Sequence, residues 1–279
     1  MSDSNSSPGK TGRGRRRRGR RREGRGFAAL LPHLLTTANL AAGFYAIVKA
    51  GEGEFERAAV ALIVAGVFDV LDGRAARFGH TSSRFGLEFD SIADTVSFGV
   101  APAILAFNAG AFYELGWTGW VMAFIFMACA ALRLARFNVS PGRYPGHFEG
   151  LPSPAAAGIV ITTVLLSGWL RESGLSFGVP ATLVALGVAL VGLLMVSPIP
   201  YRSFKHVSLR GSYWNVVLMV MATTVILMRP EFTLFVIAYA YAVSGPAEVL
   251  WRRRVGRPLV EAAVRDGSEG EQAEALDHD

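Results

Sequence analysis

The chain has 279 residues, of which 51% are hydrophobic and only 18% are charged. Soluble globular proteins carry about 25% charged residues, so this composition argues against a soluble domain and favours a chain that crosses a membrane several times. The net charge is +6, and the single cysteine excludes a disulfide framework.

The first 26 residues are predicted to form a disordered, polybasic tail. They contain ten basic and two acidic residues, so this segment has a charge of +8 and the rest of the chain carries −2. The segment is rich in Arg, Gly and Ser and has no apolar stretch, which argues against an ordinary cleaved signal peptide. Three interpretations stay open for it: adhesion to an anionic membrane surface, topological anchoring, and binding of nucleic acid.

Apolar stretches that are long enough to span a membrane follow this tail. A spanning helix needs about 20 apolar residues. The stretches lie at 30–50, 57–78, 91–112, 117–137, 153–171, 178–197, 213–229 and 232–251. They predict an all-α fold, a polytopic membrane helix bundle of about eight transmembrane helices that occupies residues 27–255. Residues 256–279 are polar and mostly acidic, and we predict a second disordered tail there.

The distribution of basic residues predicts the orientation of this bundle. The loops after the second, fourth and sixth spans are the richer in Arg and Lys, with Arg77, Arg84, Arg136, Arg143, Arg202, Lys205 and Arg210. The other loops are poorer, and three arginines, Arg252–Arg254, follow the last span. Since cytoplasmic loops carry the excess of basic residues, we predict that both termini are cytoplasmic. The expected location is the cell membrane, which is the inner membrane in a cell that has two membranes.

Two pairs of aspartates stand at the facing ends of the second and third spans. Asp69 and Asp72 are spaced i, i+3, whereas Asp90 and Asp94 are spaced i, i+4. On helices each pair shares one face. A short loop at about residues 79–86 would set the two pairs against each other, on the cytoplasmic side by the topology above.

Four carboxylates this close cannot all stay ionised unless positive charge compensates them. Oxygen ligands without His or Cys select hard ions, so we predict Mg²⁺ or Mn²⁺, with Ca²⁺ as a further candidate. Two such ions beside Arg74 and Arg77 would suit phosphoryl transfer. Two alternatives are a helix end stabilised by ion pairs and an ion-coupled transporter whose aspartates carry the ion. The transporter interpretation lacks the internal repeat that many transporter folds have.

The segment from Asp69 to Asp94 resembles the signature of the CDP-alcohol phosphotransferases. Its pattern is D-x-x-D-G-x-x-A-R, eight residues, and then G-x-x-x-D-x-x-x-D, which agrees with the family at every fixed position. Members of this family transfer a substituted phosphate from a CDP-linked donor to an alcohol and release CMP.

The resemblance implies a role for each fixed residue. Asp69, Asp72, Asp90 and Asp94 would bind the metal ions, two in number. Asp90 and Asp94 would also be catalytic, with Asp94 deprotonating the acceptor alcohol. Gly73, Ala76 and Gly86 would line the cytidine pocket, and Arg77 would face the diphosphate. Thr36 and Asn39, in the first span, are candidates for contact with the nucleotide.

Three further segments narrow the expectation within the family. "LPHLLTTANLAAGFYAI", "ALRLARFN" and "GLPSPAAAG" are similar to segments of the bacterial CDP-diacylglycerol–serine O-phosphatidyltransferases. The resemblance implies transfer of a phosphatidyl group to the hydroxyl of L-serine. Glycerol phosphate or an inositol compound remains the alternative acceptor.

A serine acceptor needs a cation for its carboxylate. Arg133 and Arg136 form an i, i+3 pair at the cytoplasmic end of the fourth span, and either could bind this carboxylate or the lipid phosphate. Asn138 and Ser153 could complete the site. The expected partners are CDP-diacylglycerol, L-serine and membrane lipids, with a homodimer as one oligomeric state that the sequence leaves open; no nucleic acid is expected.

Overall fold

The computed structural model describes residues 14–79, 84–139, 147–175, 178–202, 221 and 229–255. These residues are mostly helical. In chain order the elements are α1 Gly14–Gly51, α2 Phe55–Gly79, α3 Arg84–Asp94, a π-helical turn Thr95–Val100, α4 Ala101–Ala109, a 3-10 turn Phe112–Leu115, α5 Trp117–Val139, β1 His147–Glu149, α6 Ser153–Glu172, α7 Ala181–Val196, β2 Pro200–Arg202 and α8 Pro230–Val255.

The prediction of a helical membrane protein is confirmed at this level. Among the described residues, five helical segments are long and apolar enough to cross a membrane: Leu30–Gly51, Arg84–Ala109, Trp117–Val139, Ser153–Glu172 and Pro230–Val255. Two other predicted spans are also helical: α2 has 25 residues but carries charged residues near its end, and α7 has 16 apolar residues. The predicted span at 213–229 lies almost entirely outside the described residues.

The first helix begins earlier than expected. It starts at Gly14, within the segment 1–26 for which the sequence predicted disorder. Arginine favours the helical state, and the apolar stretch that follows provides a helix onto which these residues can extend. Residues 1–13 and 256–279 of the two predicted tails lie outside the described residues.

The third span also begins earlier than the sequence indicated. Its helix starts at Arg84 instead of residue 91, so Asp90 lies in the second turn of α3 and Asp94 is the last residue of this element. The π-helical turn follows directly and buries Ser97, Phe98 and Gly99. Charged residues at the start of α3 lower the hydropathy of this segment, which is why an apolar pattern alone starts the span too late.

Small residues allow α1 and α2 to pack closely. The two helices form an antiparallel pair whose shared core consists largely of buried alanines, namely Ala46, Ala50, Ala58, Ala59 and Ala61. Side chains of this size let helix backbones approach each other within a membrane. The pair therefore provides a stable support for the polar residues at one of its ends.

Two three-residue strands join the loops next to the site. β1 and β2 are antiparallel, with Phe148 opposite Tyr201. Gly150, next to β1, has φ of +75°, and its amide donates to the carbonyl of Ile199 at 2.9 Å. The described residues are otherwise mostly helical, as the all-α prediction requires. This small strand pair was not predicted, because strands this short leave no alternating pattern in the sequence.

Candidate active site

Helices α2 and α3 bring three of the four aspartates together. Asp69, Asp72 and Asp90 each offer a carboxylate oxygen, and these three oxygens lie within 4.8 Å of one another. The i, i+3 spacing places Asp69 and Asp72 on the face of α2 that points toward α3. Asp94 is not a member of this set; it lies one turn further along α3.

The cluster is suited to a divalent cation. Asp72 is only 4% exposed, and Oδ1 of Asp90 is buried with no hydrogen-bond partner among the described residues. In the same part of the chain no lysine or arginine forms an ion pair with these aspartates. Buried carboxylates need a compensating charge, and an all-oxygen set is the one that Mg²⁺ and Mn²⁺ prefer. The residues present therefore fit the predicted metal ions.

Helix α1 supplies polar side chains beneath this cluster. The hydroxyl of Thr36 lies 2.9 Å from Oδ2 of Asp72, and the amide of Asn39 donates to Oδ1 of Asp94 at 3.1 Å. The hydroxyl of Ser97 in turn donates to the backbone carbonyl of Asn39 at 3.1 Å. Thr36 and Asn39, which the sequence suggested as nucleotide contacts, thus make hydrogen bonds to two of the aspartates.

The small residues of the motif leave room beside the cluster. A Cβ atom added to Gly73 would meet nothing within 4 Å, so the α2 backbone is open to a ligand at this point. Gly86 lies in the first turn of α3, four residues before Asp90. Ala76 and Arg77 belong to α2, but their side chains lie outside the described residues.

The four residues predicted to bind the acceptor separate into two groups. Arg133 donates from Nη1 to the hydroxyl of Ser153 at 3.2 Å and interacts electrostatically with Asp94. Its Nε is buried without a hydrogen-bond partner among the described residues. This pair therefore retains a buried donor for a ligand.

The other two predicted acceptor residues lie in a different arrangement. Arg136 forms an ion pair with Glu149, next to the strand pair, and also points Nη1 at the carbonyl of Val196 at 3.5 Å. The amide of Asn138 donates to the hydroxyl of Ser91 at 2.8 Å. Arg136 thus connects α5 to β1, and Asn138 connects α5 to α3.

Sequence reasoning missed one residue next to the site. Ser97 is completely buried, and its hydroxyl joins the π-helical turn to α1. The only signal for Ser97 was its position three residues after Asp94.

Comparison with known proteins shows similarity to one family of enzymes. Residues 29–196 match the family model described as CDP-alcohol phosphatidyltransferase. A CDP-diacylglycerol–serine O-phosphatidyltransferase of Helicobacter pylori is 36% identical over 221 residues, which cover 77% of this chain and 89% of that protein. The enzyme of the same name from Mycobacterium tuberculosis is 33% identical over 239 residues, covering 80% of this chain and 79% of that protein.

A third relative comes from an archaeon. The archaetidylserine synthase of Methanothermobacter thermautotrophicus is 35% identical over 173 residues, covering 61% of this chain and 69% of that protein. The matched family region contains all four aspartates as well as Arg133 and Ser153, and it extends over more than half of the chain. The chain therefore belongs to the CDP-alcohol phosphatidyltransferase family.

Proposed function

We propose that the protein transfers the phosphatidyl group of CDP-diacylglycerol to the hydroxyl of L-serine, which gives phosphatidylserine and CMP. The observation that carries this proposal is the cluster of Asp69, Asp72 and Asp90, and the Arg133–Ser153 pair supports it. The first group suits a nucleotide diphosphate held through metal ions, and the second suits an amino-acid carboxylate. Relatives that are 33% and 36% identical carry the name of this activity.

The residues that would hold the metal ions are Asp69, Asp72 and Asp90, with Asp94 nearby. Bound Mg²⁺ or Mn²⁺, two ions by the family resemblance, would neutralise the charge of the diphosphate and of the departing CMP. Thr36 fixes one ligand, since its hydroxyl lies against Asp72. Arg77 would face the same diphosphate, and Gly73, Ala76 and Gly86 would border the cytidine.

Asp94 is the base that we assign to the reaction. The amide of Asn39 holds its Oδ1, which leaves Oδ2 for the proton of the serine hydroxyl. The serine oxygen then attacks the phosphorus that carries diacylglycerol, and the bond from this phosphorus to the CMP oxygen breaks. The electron pair leaves with CMP. No protein nucleophile is needed, because the attacking oxygen belongs to the acceptor.

Arg133 is the residue that we assign to the acceptor carboxylate. Ser153 occupies one of its Nη atoms, and the remaining nitrogens can donate to a carboxylate in the bidentate manner of guanidinium groups. Arg136 is paired with Glu149, so its predicted part in acceptor binding would require this ion pair to open. A phosphorylated acceptor would need more cations than Arg133 supplies, which favours serine over glycerol phosphate.

The membrane arrangement that we propose has about eight spans, with both termini and the active site on the cytoplasmic side. The polybasic tail 1–26 and the acidic tail 256–279 would then flank a membrane domain at 27–255. Three arginines in the last turn of α8 support this orientation, since basic residues concentrate on the cytoplasmic side.

The test is an assay of the purified protein in detergent with CDP-diacylglycerol and Mn²⁺ or Mg²⁺. Serine, glycerol 3-phosphate and myo-inositol are compared as acceptors, and both CMP and the lipid product are measured. We expect serine-dependent CMP release that disappears in Asp69→Asn and in the presence of a chelator. Serine that performs no better than water or glycerol phosphate would overturn the assignment, and ion flux into proteoliposomes without CMP release would favour a transporter.

A further inference from the structure

The third span and α1 are joined by two buried hydrogen bonds that share one residue. The hydroxyl of Ser97, in the π-helical turn, donates to the backbone carbonyl of Asn39 at 3.1 Å. The side-chain amide of the same asparagine donates to Oδ1 of Asp94 at 3.1 Å. Ser97 and Asn39 are both 0% exposed, so water cannot easily replace either partner. Asn39 is therefore held against the third span twice, through its backbone and through its side chain.

A glycine allows the two helices to approach closely at this contact. Gly43 lies one turn after Asn39 on α1, and its Cα faces Ser97. A Cβ atom built on Gly43 would overlap the hydroxyl oxygen of Ser97 and would lie 3.0 Å from the Cα of that residue. Overpacking of this kind forces backbone shifts. A larger residue at position 43 would therefore push α1 away from the π-helical turn.

The same contact lies next to the base that we assign to the reaction. Asp94 is the last residue of α3, and the π-helical turn that contains Ser97 follows it directly. An ionised carboxylate only accepts hydrogen bonds, so the NH₂ group of Asn39 must face Asp94. The separation of the helices at Gly43 and Ser97 therefore affects where this NH₂ group meets Oδ1, and with it the direction in which Oδ2 points.

We propose that Gly43 and Ser97 are positioning residues, which act through Asn39 to direct Asp94 at the hydroxyl of the acceptor. This inference rests on the proposed function, because it takes Asp94 as the base of that reaction. Proton transfer requires the base and the hydroxyl to lie within hydrogen-bond distance. A displacement of about 1 Å can lower a rate about 100-fold, so a small separation of the two helices is enough to impair the reaction.

The metal cluster depends much less on this contact. Asp69, Asp72 and Asp90 lie between α2 and α3, and Thr36, which contacts Asp72, lies two turns away from Gly43 on α1. A change at Gly43 should therefore impair proton transfer more than it impairs the binding of metal ions or nucleotide. General support of the fold would instead affect the reaction and both kinds of binding together.

The first experiment measures turnover of Gly43→Ala with serine. We expect kcat to fall about tenfold or more, because the added methyl group displaces α1. KM for serine, KM for CDP-diacylglycerol and the affinity for Mn²⁺ should stay within about twofold of the wild-type values, since the binding residues are unchanged. Rates are expressed per CMP-binding site, counted in the presence of Mn²⁺, so that unfolded protein does not lower kcat.

The matched control is Gly66→Ala, which changes a second glycine that faces the π-helical turn. Gly66 belongs to α2, and a Cβ atom there would lie 3.8 Å from the ring of Phe98, an ordinary van der Waals distance. This variant should keep the wild-type kcat. The comparison therefore separates the close approach at Gly43 from the general effect of replacing a helical glycine with alanine.

Two variants of Ser97 complete the set. Ser97→Ala removes the hydrogen bond without adding bulk, so it also serves if Gly43→Ala does not fold. We expect its kcat to fall about threefold or more, in keeping with the strength of hydrogen bonds between membrane helices. Ser97→Gly combined with Gly43→Ala removes two of the three atoms nearest to the new methyl group. The double variant should therefore turn over faster than Gly43→Ala alone.

Four results would overturn the inference. Wild-type kcat in both Gly43→Ala and Ser97→Ala would do so while leaving the proposed function intact, and so would a double variant no faster than Gly43→Ala. A loss of Mn²⁺ and CMP affinity as large as the loss of kcat would show that the contact only supports the fold. A wild-type protein that releases no CMP with serine would overturn both this inference and the proposed function.

Discussion

Replacing Thr36 with valine removes a hydroxyl of the candidate metal site, which lies 2.9 Å from Oδ2 of Asp72 and 3.0 Å from the Pro32 carbonyl of its own helix. Thr36 is 4% exposed, and its hydroxyl lies 2.9 Å from Asp72, so water cannot easily take its place. Valine keeps the branched shape and removes the donor. A hydrogen bond to a charged group contributes about 1.5–3 kcal/mol, and each 1.4 kcal/mol is about a factor of ten in affinity. We therefore expect Mn²⁺ to bind roughly one to two orders of magnitude more weakly.

The assay is a titration of CMP release with Mn²⁺ at saturating lipid and serine, together with electron paramagnetic resonance of free Mn²⁺ to measure binding directly. Thr37→Val is the control, because the hydroxyl of Thr37 is exposed and bonds to the carbonyl of His33 in its own helix at 2.7 Å. This variant should titrate as the wild type does. If Thr36→Val also kept the wild-type Mn²⁺ dependence, the contact would not support Asp72, and the reasoning would be refuted.

Three further predictions concern other parts of the chain. Asp94→Asn should abolish turnover while CMP binding in the presence of Mn²⁺ stays largely intact; equal loss of both would argue against its role as the base. Gly192→Ala should lower the melting temperature, since a Cβ there would lie 2.9 Å from the α5 backbone, whereas Gly187→Ala on the same helix meets nothing within 4 Å and should not lower it. A hydrogen bond from Lys49 lowers the pKa of Glu54, so this pair stabilises the fold above about pH 4.5 and ceases to do so as the pH falls. The difference in melting temperature between wild type and Glu54→Gln should accordingly be present at pH 7 and disappear in acid, and a difference independent of pH would contradict this.

The sequence could predict the aspartate cluster because the information is local. The i, i+3 and i, i+4 spacings fix a helical face, and a short loop brings the two faces together. Hydropathy likewise predicted the five helical segments of the described residues that are long and apolar enough to cross a membrane, although the third begins earlier than predicted because α3 starts with charged residues. Helical periodicity was therefore nearly sufficient to predict that Asp69 and Asp72 share one helix face and that Asp90 and Asp94 share another.

Contacts between distant segments could not be predicted in this way. Arg136 and Arg133 look equivalent in the sequence, yet one pairs with Glu149 and the other with Ser153. Which partner each arginine takes depends on where the strand pair and α6 lie relative to α5. The spacing of residues along the chain does not predict those positions. The hydrogen bond from the Tyr201 hydroxyl to the carbonyl of Ala242 in α8 likewise joins segments that are far apart along the chain.

The π-helical turn Thr95–Val100 sets the rotational offset between the two halves of the third span. An α-helix turns by about 100° per residue, and a π turn accommodates one additional residue without ending the helix. Deleting a single residue here would restore uniform helix and rotate Asp90 and Asp94 by about 100° away from α2. The half after the turn would keep its packing, because Ala101 and Leu105 of α4 are buried in the core that α1 and α2 share. A deletion of one residue in this turn should therefore leave a helix bundle that folds but no longer brings the aspartates together to hold metal ions.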